Sequence, residues 1–410
     1  MQGNAFKVAI LGGGPAGIAA ALMIRHISDY DVYLFDANPK IGRKLSVTGS
    51  GRCNLTNLEL DPERYYSTQP ADLSPVFSRW SPADLRLFLD RIGIPTIATD
   101  DGWVYPQSFS AANVVQILNG NLTENNIHII ENTKVLSITL YENQFRLTVD
   151  NRKDSLVFDR ILIATGSKAF PQLRADTGIV SELKKFGIHV APFFPALSPV
   201  LLENEPHKLL SGIRLDVNLK LFRESRQIDE SFGNIIFTDF GMNGPGCMNL
   251  SHRIQLLLEN HPYFKVDFIP QEKSKIIEGI FNSKQDQNYP YRDIFLSILP
   301  MKLVDFFFNE WNIATDTKCS EINHQSFGSH IDQLRNFKMQ IKGTKGFKES
   351  QACSGGVLLS EIDLRTMESL KIPGIYFAGE ILDVVGPCGG YNLHWAFSSG
   401  LIAGEAMGKP

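Results

Sequence analysis

KVAILGGGPAGIAAAL, residues 7–22, is the stretch whose reading decides the fold. Val8, Ala9, Ile10 and Leu11 form a short apolar run, the pattern of a strand buried on both faces in a parallel sheet. Gly12, Gly14 and Gly17 then complete G-x-G-x-x-G, and Pro15 and Ala16 open an Ala-rich helix at once. The first glycine permits the sharp turn out of the strand. The second lets backbone approach a pyrophosphate, and the third lets helix and strand pack closely. The helix start adds unpaired N–H groups and the positive end of its dipole, both favourable to phosphate. A second apolar run at 32–35 ends in Asp36, followed by Ala37. This puts a carboxylate where it can accept from a ribose 2′-OH. Glycines set in that order of strand, helix, strand and carboxylate predict a Rossmann-like α/β dinucleotide-binding domain.

The chain has 410 residues, enough for two or three domains. With 43% hydrophobic and 20% charged residues it reads as a soluble globular protein with a sizeable core. A net charge of −4 gives no broad reason to expect nucleic acid or an anionic membrane. MQGNAF runs into the first strand without the basic and apolar segments of a secretory signal, and no apolar run reaches transmembrane length. Cys53, Cys247, Cys319, Cys353 and Cys388 are odd in number, scattered, and lack C-x-x-C spacing. That suits a reducing cytoplasm and argues against a disulfide framework or a zinc site, so no metal is expected.

Residues 37–57, ANPKIGRKLSVTGSGRCNLTN, are too glycine-rich and polar for a regular core element. Gly51 permits close ligand approach, Arg43, Lys44 and Arg52 supply positive charge, and Asn54 offers both a donor and an acceptor. Residues 81–92 carry a Ser cap and an early Pro and predict a helix, as do 110–118. The runs 127–130, 135–140 and 145–149 read together as an antiparallel excursion. Residues 160–166 form another buried strand, ending in the small turn Ala164, Thr165, Gly166. Beyond residue 187 the pattern changes: Leu215, Val217, Leu219 and Leu221 alternate with polar residues, and 273–311 turn helical. Phe306, Phe307 and Phe308 sit inside that helical pattern and read as core. The organisation expected is a first part of the dinucleotide domain (1–190), an inserted β-rich domain with a helical subdomain (191–344), and the rest of the first domain (345–410). In the last part, 374–379 form a buried strand, Gly386, Gly389 and Gly390 a tight loop, and 391–407 a small-residue helix with a second anion-friendly start.

Seven segments together resemble one family. They are GGGPAGIAAA from Gly12, GRKLSVTGSGRCNLTN from Gly42, DGWVYPQSFSAANVV from Asp101, ATGS from Ala164, SGGV from Ser354, EIDLRTMES from Glu361 and YFAGEILDVVGPCGGYNLHWAFSSG from Tyr376. The family is that of bacterial FAD-dependent oxidoreductases that includes aminoacetone-oxidase-like and BaiN/YhiN-type flavoproteins. The resemblance implies a two-dinucleotide-type FAD domain interrupted by a small β-barrel and a helical piece. It places the pyrophosphate on Gly12, Gly14, Pro15, Ala16 and Gly17, the adenosine ribose on Asp36 and Ala37, and adenine against the backbone of Val135. Arg43, Lys44 and Gly51, Arg52, Cys53 and Asn54 would approach the flavin side, and Ala164, Thr165 and Gly166 would also bind the cofactor. Gly379, Glu380 and Asp383 would contact the ribityl–pyrophosphate region, and Gly390, Tyr391, Asn392 and Leu393 the isoalloxazine.

The function expected is hydride transfer between a small organic substrate and flavin, with reoxidation by oxygen or another acceptor. The turn at 164–167 lacks a second G-x-G-x-x-G, which leaves NAD(P)H as a transient visitor. Cys53 and Cys388 invite a disulfide-reductase reading, but their spacing favours packed thiols. Where similar proteins carry T-H-x-G-x-S-G-P, this chain has Asp239 and Asn243 in place of His and Ser. Asp239 reads either as a substrate-orienting residue or, with Thr238, as the cap of a helix starting near Gly246. His394 reads either as a hydrogen-bonded structural residue or as a catalytic one. The alternatives to a small-molecule enzyme are a flavin-dependent RNA-modifying protein, kept open by Lys338, Lys342, Lys345 and Lys348, and a non-catalytic flavin sensor. Oligomeric state leaves no signal in the sequence.

Overall fold

The computed structural model describes residues 6–173, 178–203 and 206–410; the first five residues, read above for a secretory signal, lie outside them. The chain divides into two compact units, Met1–Ala196 with Phe347–Pro410, and Leu197–Gly346.

In the first unit, the strand Lys7–Leu11 lies between Asp31–Phe35 and Arg160–Ile163, parallel to both. Ile375–Phe377 extends the sheet in parallel beyond Arg160–Ile163, and two short antiparallel strands, Glu368–Ser369 and Ile362–Asp363, finish that edge. The other edge is His128–Ile130, which pairs in parallel with Asp31–Phe35. This corrects the antiparallel excursion expected from 127 onward. Only Val135–Tyr141, Gln144–Val149 and Leu156–Phe158 form the antiparallel sheet, because a three-residue apolar run carries no information about its partner's direction. Val190–Ala196 pairs antiparallel with Ala352–Val357 within the same unit. The expected helix over 81–92 is Pro82–Arg91, capped reciprocally by Ser81 and Asp84.

Helix Pro15–Ile27 packs against the last helix, Tyr391–Met407, and small residues set their separation. A Cβ at Gly400 would lie 2.2 Å from the Ala16 carbonyl oxygen, and one at Gly404 2.7 Å from that of Ala20. The four-residue spacing puts both glycines on one face, so the helices meet backbone to backbone.

The second unit contains a closed barrel, in strand order Val200–Leu202, Gly241–Asn243, Arg226–Thr238, Arg214–Arg223, Tyr263–Asp267 and Phe337–Thr344. Helices Gln271–Lys284, Tyr291–Leu296, Met301–Glu310 and His324–Arg335 form its helical part. Phe306, Phe307 and Phe308 are buried there, and Phe281 stacks on Phe327 with ring centroids 3.9 Å apart. Among the described residues no helix is long and apolar enough to cross a membrane.

Gly400→Val is expected to lower unfolding stability by about 3 kcal/mol, the upper end for overpacking. Gly120 lies on the exposed face of helix Ala111–Glu124, with nothing within 4 Å of an added Cβ. Gly120→Ala should therefore stabilise by about 0.5–1 kcal/mol. Chemical denaturation of both variants reads the contrast.

Candidate functional site

The three fingerprint glycines have different neighbours. A Cβ at Gly12 would fall 2.2 Å from the Ala164 carbonyl oxygen, and one at Gly17 2.0 Å from that of Gly12. A Cβ at Gly14 would meet nothing within 4 Å. Gly12 and Gly17 are thus required by the protein's own packing, and Gly14 borders open space at the start of helix Pro15–Ile27. Gly14 has φ −82° and ψ −179°, angles any residue adopts, so the glycine there keeps room and not conformation.

Asp36 is held ready beside it. One carboxylate oxygen accepts from the Gly13 N–H at 2.8 Å, and the other accepts from the Asn38 N–H at 2.7 Å and its side-chain amide at 3.0 Å. A carboxylate has about four acceptor positions, so one remains for a ribose hydroxyl. Arg43 steadies the arrangement by donating to Asn38 Oδ1 at 2.8 Å. Asp36 lines a cleft with Gly12, Ala37, Asn38, Val135 and Thr165. The hydroxyl of Thr165 is buried and has no partner among the described residues. A pre-oriented carboxylate and an orphaned hydroxyl in one cleft, together with the open space at Gly14, fit the adenosine half of FAD.

The expected flavin-side segments also come together. Lys44 forms an ion pair with Glu380, whose carboxylate accepts from the Ser167 hydroxyl at 3.1 Å. Cys353 lies beside Ser167, and burial pushes its thiol up to about 11. Asn54, with its amide oxygen toward Gly390, accepts from that N–H at 3.2 Å and donates to the carbonyls of Thr56 (3.0 Å) and Val104 (3.2 Å). Asn57 donates to the Gly389 carbonyl at 2.9 Å. Gly390 has φ +96°, and a Cβ there would lie 2.2 Å from the Thr56 carbonyl oxygen. The R-C-N loop and the G-G-Y-N loop are therefore laced into one platform at the start of the last helix. Gly51 and Arg52 are exposed, with the Arg52 guanidinium 5.4 Å from the Tyr105 ring. Gly379 turns with φ +75° against Ala16.

Residues 6–406 match the family described as HI0933-like protein Rossmann domain. The chain belongs to the HI0933-like family. It is similar to the 3-dehydro-bile acid delta(4,6)-reductase of Clostridium scindens, 30% identical over 98% of this chain and 99% of that one. It is also similar to the ribosomal RNA dihydrouridine synthase of Escherichia coli, 28% identical over 96% of both chains. Among solved structures, a 3-ketosteroid-delta4-(5alpha)-dehydrogenase from Rhodococcus jostii RHA1 superposes with TM-score 0.49 at 12% identity, covering 99% of this chain and 97% of that one. An open flavocytochrome c3 fumarate reductase does so with TM-score 0.47 at 13%, covering 98% and 78%. This HI0933-like protein is an FAD-dependent oxidoreductase.

Several residues expected to touch the cofactor have other work in the HI0933-like protein. Asp383 is fully buried and accepts from Ser67 Oγ (3.2 Å), the Thr68 N–H (2.8 Å) and hydroxyl, and the Gly355 N–H (2.8 Å). These bonds make Asp383 a clamp between its own loop, Ser67–Thr68 and Gly355, with one acceptor position of Oδ1 left open. The Tyr391 hydroxyl donates to the Glu59 carbonyl at 2.9 Å, and the Arg64 guanidinium donates to it at 3.2 Å. The Asn392 amide closes its own loop on Gly386 at 2.8 and 3.0 Å. Tyr391, Asn392 and the half-buried Leu393 open the last helix. The thiols of Cys53 and Cys388 are both pushed up to about 12 by burial.

His394 is completely buried, with Nε2 2.9 Å from the Trp80 carbonyl and Nδ1 2.7 Å from the Thr56 hydroxyl. A carbonyl only accepts, so Nε2 carries the proton and Nδ1 accepts from Thr56. Burial lowers its pKa to about 4, and the ring stays neutral and fully bonded. The structural alternative for His394 is the one its geometry supports.

Thr238 and Asp239 do not cap a helix. Thr238 pairs with Gly241 across a two-residue hairpin turn of Asp239 and Phe240, and the short helix Pro245–Met248 follows Gly244, whose N–H donates to Asn243 Oδ1 at 2.8 Å. Sequence reasoning missed His207, which is 3% exposed and meets the Asp239 carbonyl through Nε2 at 3.1 Å. No local signal marks it, since its contact spans a fold-back of the chain.

Gly14→Val should leave a folded protein with the thermal stability of wild-type apoprotein and almost no bound flavin. Gly17→Val should not fold, because its side chain meets backbone. Flavin absorbance and circular dichroism of the pair separate ligand space from packing.

His394 also sets an acid response. Its folded pKa lies below the unfolded value near 6.5, so the unfolded chain binds the extra proton and stability falls as pH drops from about 6.5 to 4. His252 and His330, each lowered to about 4 by burial, act in the same direction. His394→Gln should flatten the pH slope of unfolding free energy by up to one proton, about 1.4 kcal/mol per pH unit. An unchanged slope would mean that His394 does not titrate there.

Proposed function

We propose that this protein reduces a carbon–carbon double bond conjugated to a carbonyl, with electrons that originate in NAD(P)H. The observation that carries this reading is the chemistry shared by two relatives whose substrates otherwise differ entirely. Reducing the Δ4,6 unsaturation of a 3-dehydro-bile acid and converting uridine to dihydrouridine both saturate a C=C that a carbonyl polarises. In each, a hydride adds to the carbon remote from the carbonyl and a proton to the carbon next to it. FAD, when bound, supplies the two-electron hydride chemistry, and the protein supplies position and electrostatics.

The chain's own groups fit that division. Gly14, Asp36 and Thr165 favour the adenosine and phosphate end. Lys44, held by Glu380, carries positive charge on the flavin side, and the N–H groups at the start of Tyr391–Met407 favour negative charge there. His394, neutral and doubly bonded, holds the platform and moves no proton. The turn Ala164–Ser167 is not a second dinucleotide fingerprint, in keeping with NAD(P)H as a visiting donor. The acceptor is a small molecule or a uracil base presented by RNA, as the two relatives' names suggest. Five cysteines without a disulfide suit a cytoplasmic enzyme.

Under anaerobic conditions NADH or NADPH should bleach the flavin band of the holoenzyme. A conjugated enone or a uridine-containing RNA should restore it, and amines and hydroxy acids should do neither. Bleaching by an amine, with no reoxidation by either unsaturated acceptor, would replace this reading with that of an oxidase.

A further inference from the structure

We propose that the outer face of the barrel in Leu197–Gly346 is a docking surface for the sugar–phosphate backbone of RNA, built on Lys220, Lys265, Lys338 and Lys342. Strand register brings the first three together from distant parts of the chain. Lys220 stands directly opposite Lys265, and Lys265 opposite Lys338, on three adjacent strands. They alternate with Leu219, Leu221, Phe264, Val266 and Met339, which are buried inside the barrel, so the lysines face outward. Lys342 lies on the same outward face of Phe337–Thr344 and is exposed.

Like charges placed directly opposite one another across a sheet are destabilising. A row of lysines about 10 Å across, on strands about 4.8 Å apart, therefore favours an added anion. Glu230 faces Lys220 at the edge of the row, and Asp267 nearby is shared with Arg335 at 3.7 Å. Among the described residues no carboxylate pairs with Lys265, Lys338 or Lys342.

Two aromatic rings hold the middle of the row in place. Phe222 and Tyr263 stack with centroids 5.3 Å apart and planes 9° from parallel. The Lys265 ammonium sits 4.8 Å from the Phe222 centroid and the Lys338 ammonium 4.2 Å from that of Tyr263. Cation–π contact orders these two charges before any partner arrives, which lowers the entropy cost of binding. Phe232 faces Asn218 on the same side and is 66% exposed, a flat apolar ring beside a basic row. Lysines with an exposed aromatic suit a nucleic acid, whose phosphates and bases they engage separately. Of the two kinds of acceptor in the reductase reading, a base carried on RNA is the one this face fits, by its charge and by its exposed ring.

The surface depends on the reductase reading only for which base would be reduced, and binding to the oxidised holoenzyme tests it without turnover. The probe is a fluorescein-labelled, uridine-rich single-stranded RNA, titrated at 50 and 200 mM salt. Lys265→Gln/Lys338→Gln/Lys342→Gln should weaken binding at least tenfold and lower the logarithmic salt slope by about 2, near 0.7 for each phosphate no longer neutralised. Flavin content and bleaching by NAD(P)H should stay at wild-type levels, and the matching triple Arg variant should retain binding. Equal RNA affinity and slope in wild type and Gln variant would overturn the proposal. So would wild-type binding to phosphatidylglycerol vesicles but not to RNA. Failure to reduce either the enone or the uridine of the RNA, with RNA binding intact, would sink the reductase reading alone.

Discussion

Backbone-to-backbone approach at glycine is the constraint on which the cofactor-binding unit depends. Gly12 meets Ala164, Gly17 meets Gly12, Gly400 meets Ala16, and Gly404 meets Ala20. These contacts bring the first strand, the phosphate-facing helix, the strand after Arg160 and the last helix into one tight bundle. A methyl group at any of them would push backbone against backbone, where no side chain can rotate away. The separation of the elements that flank the cofactor is thus set by absent side chains. Gly14 alone among the fingerprint positions keeps space for something other than protein.

Three carboxylates near this framework have similar sequence surroundings and different fates. Asp36 is oriented by backbone N–H groups and by Asn38 and keeps an acceptor position open. Glu380 is matched by Lys44 and Ser167, two residues that also border the cofactor-side segments. Asp383 has donors on both oxygens and acts as a clamp inside the protein.

Side chains that look chemically active are largely withdrawn from chemistry. The thiols of Cys53 and Cys388 are held protonated by burial, and His394 has both ring nitrogens occupied. These three side chains serve spacing and rigidity.

The sequence by itself determined whatever rests on local pattern. The buried strand and glycine turn at 7–17, the carboxylate after the second strand, the capped helix after Ser81 and the alternating strand around Val217 are each set by neighbours a few residues away. Local sterics, strand period and capping are written in consecutive residues, so they can be read there. Pairing between distant segments is not. The direction of His128–Ile130, the donors around Asp383, the two bonds of His394 and the hairpin at Asp239 follow from which backbones meet after folding. The lysine patch shows the difference most clearly. Along the chain Lys338, Lys342, Lys345 and Lys348 look like one cluster, yet Lys345 covers Phe240 at 3.8 Å and Lys348 belongs to the other compact unit. Strand register replaces them with Lys220 and Lys265, because a period-two strand fixes which face a residue takes but only hydrogen bonding across the barrel decides what stands beside it.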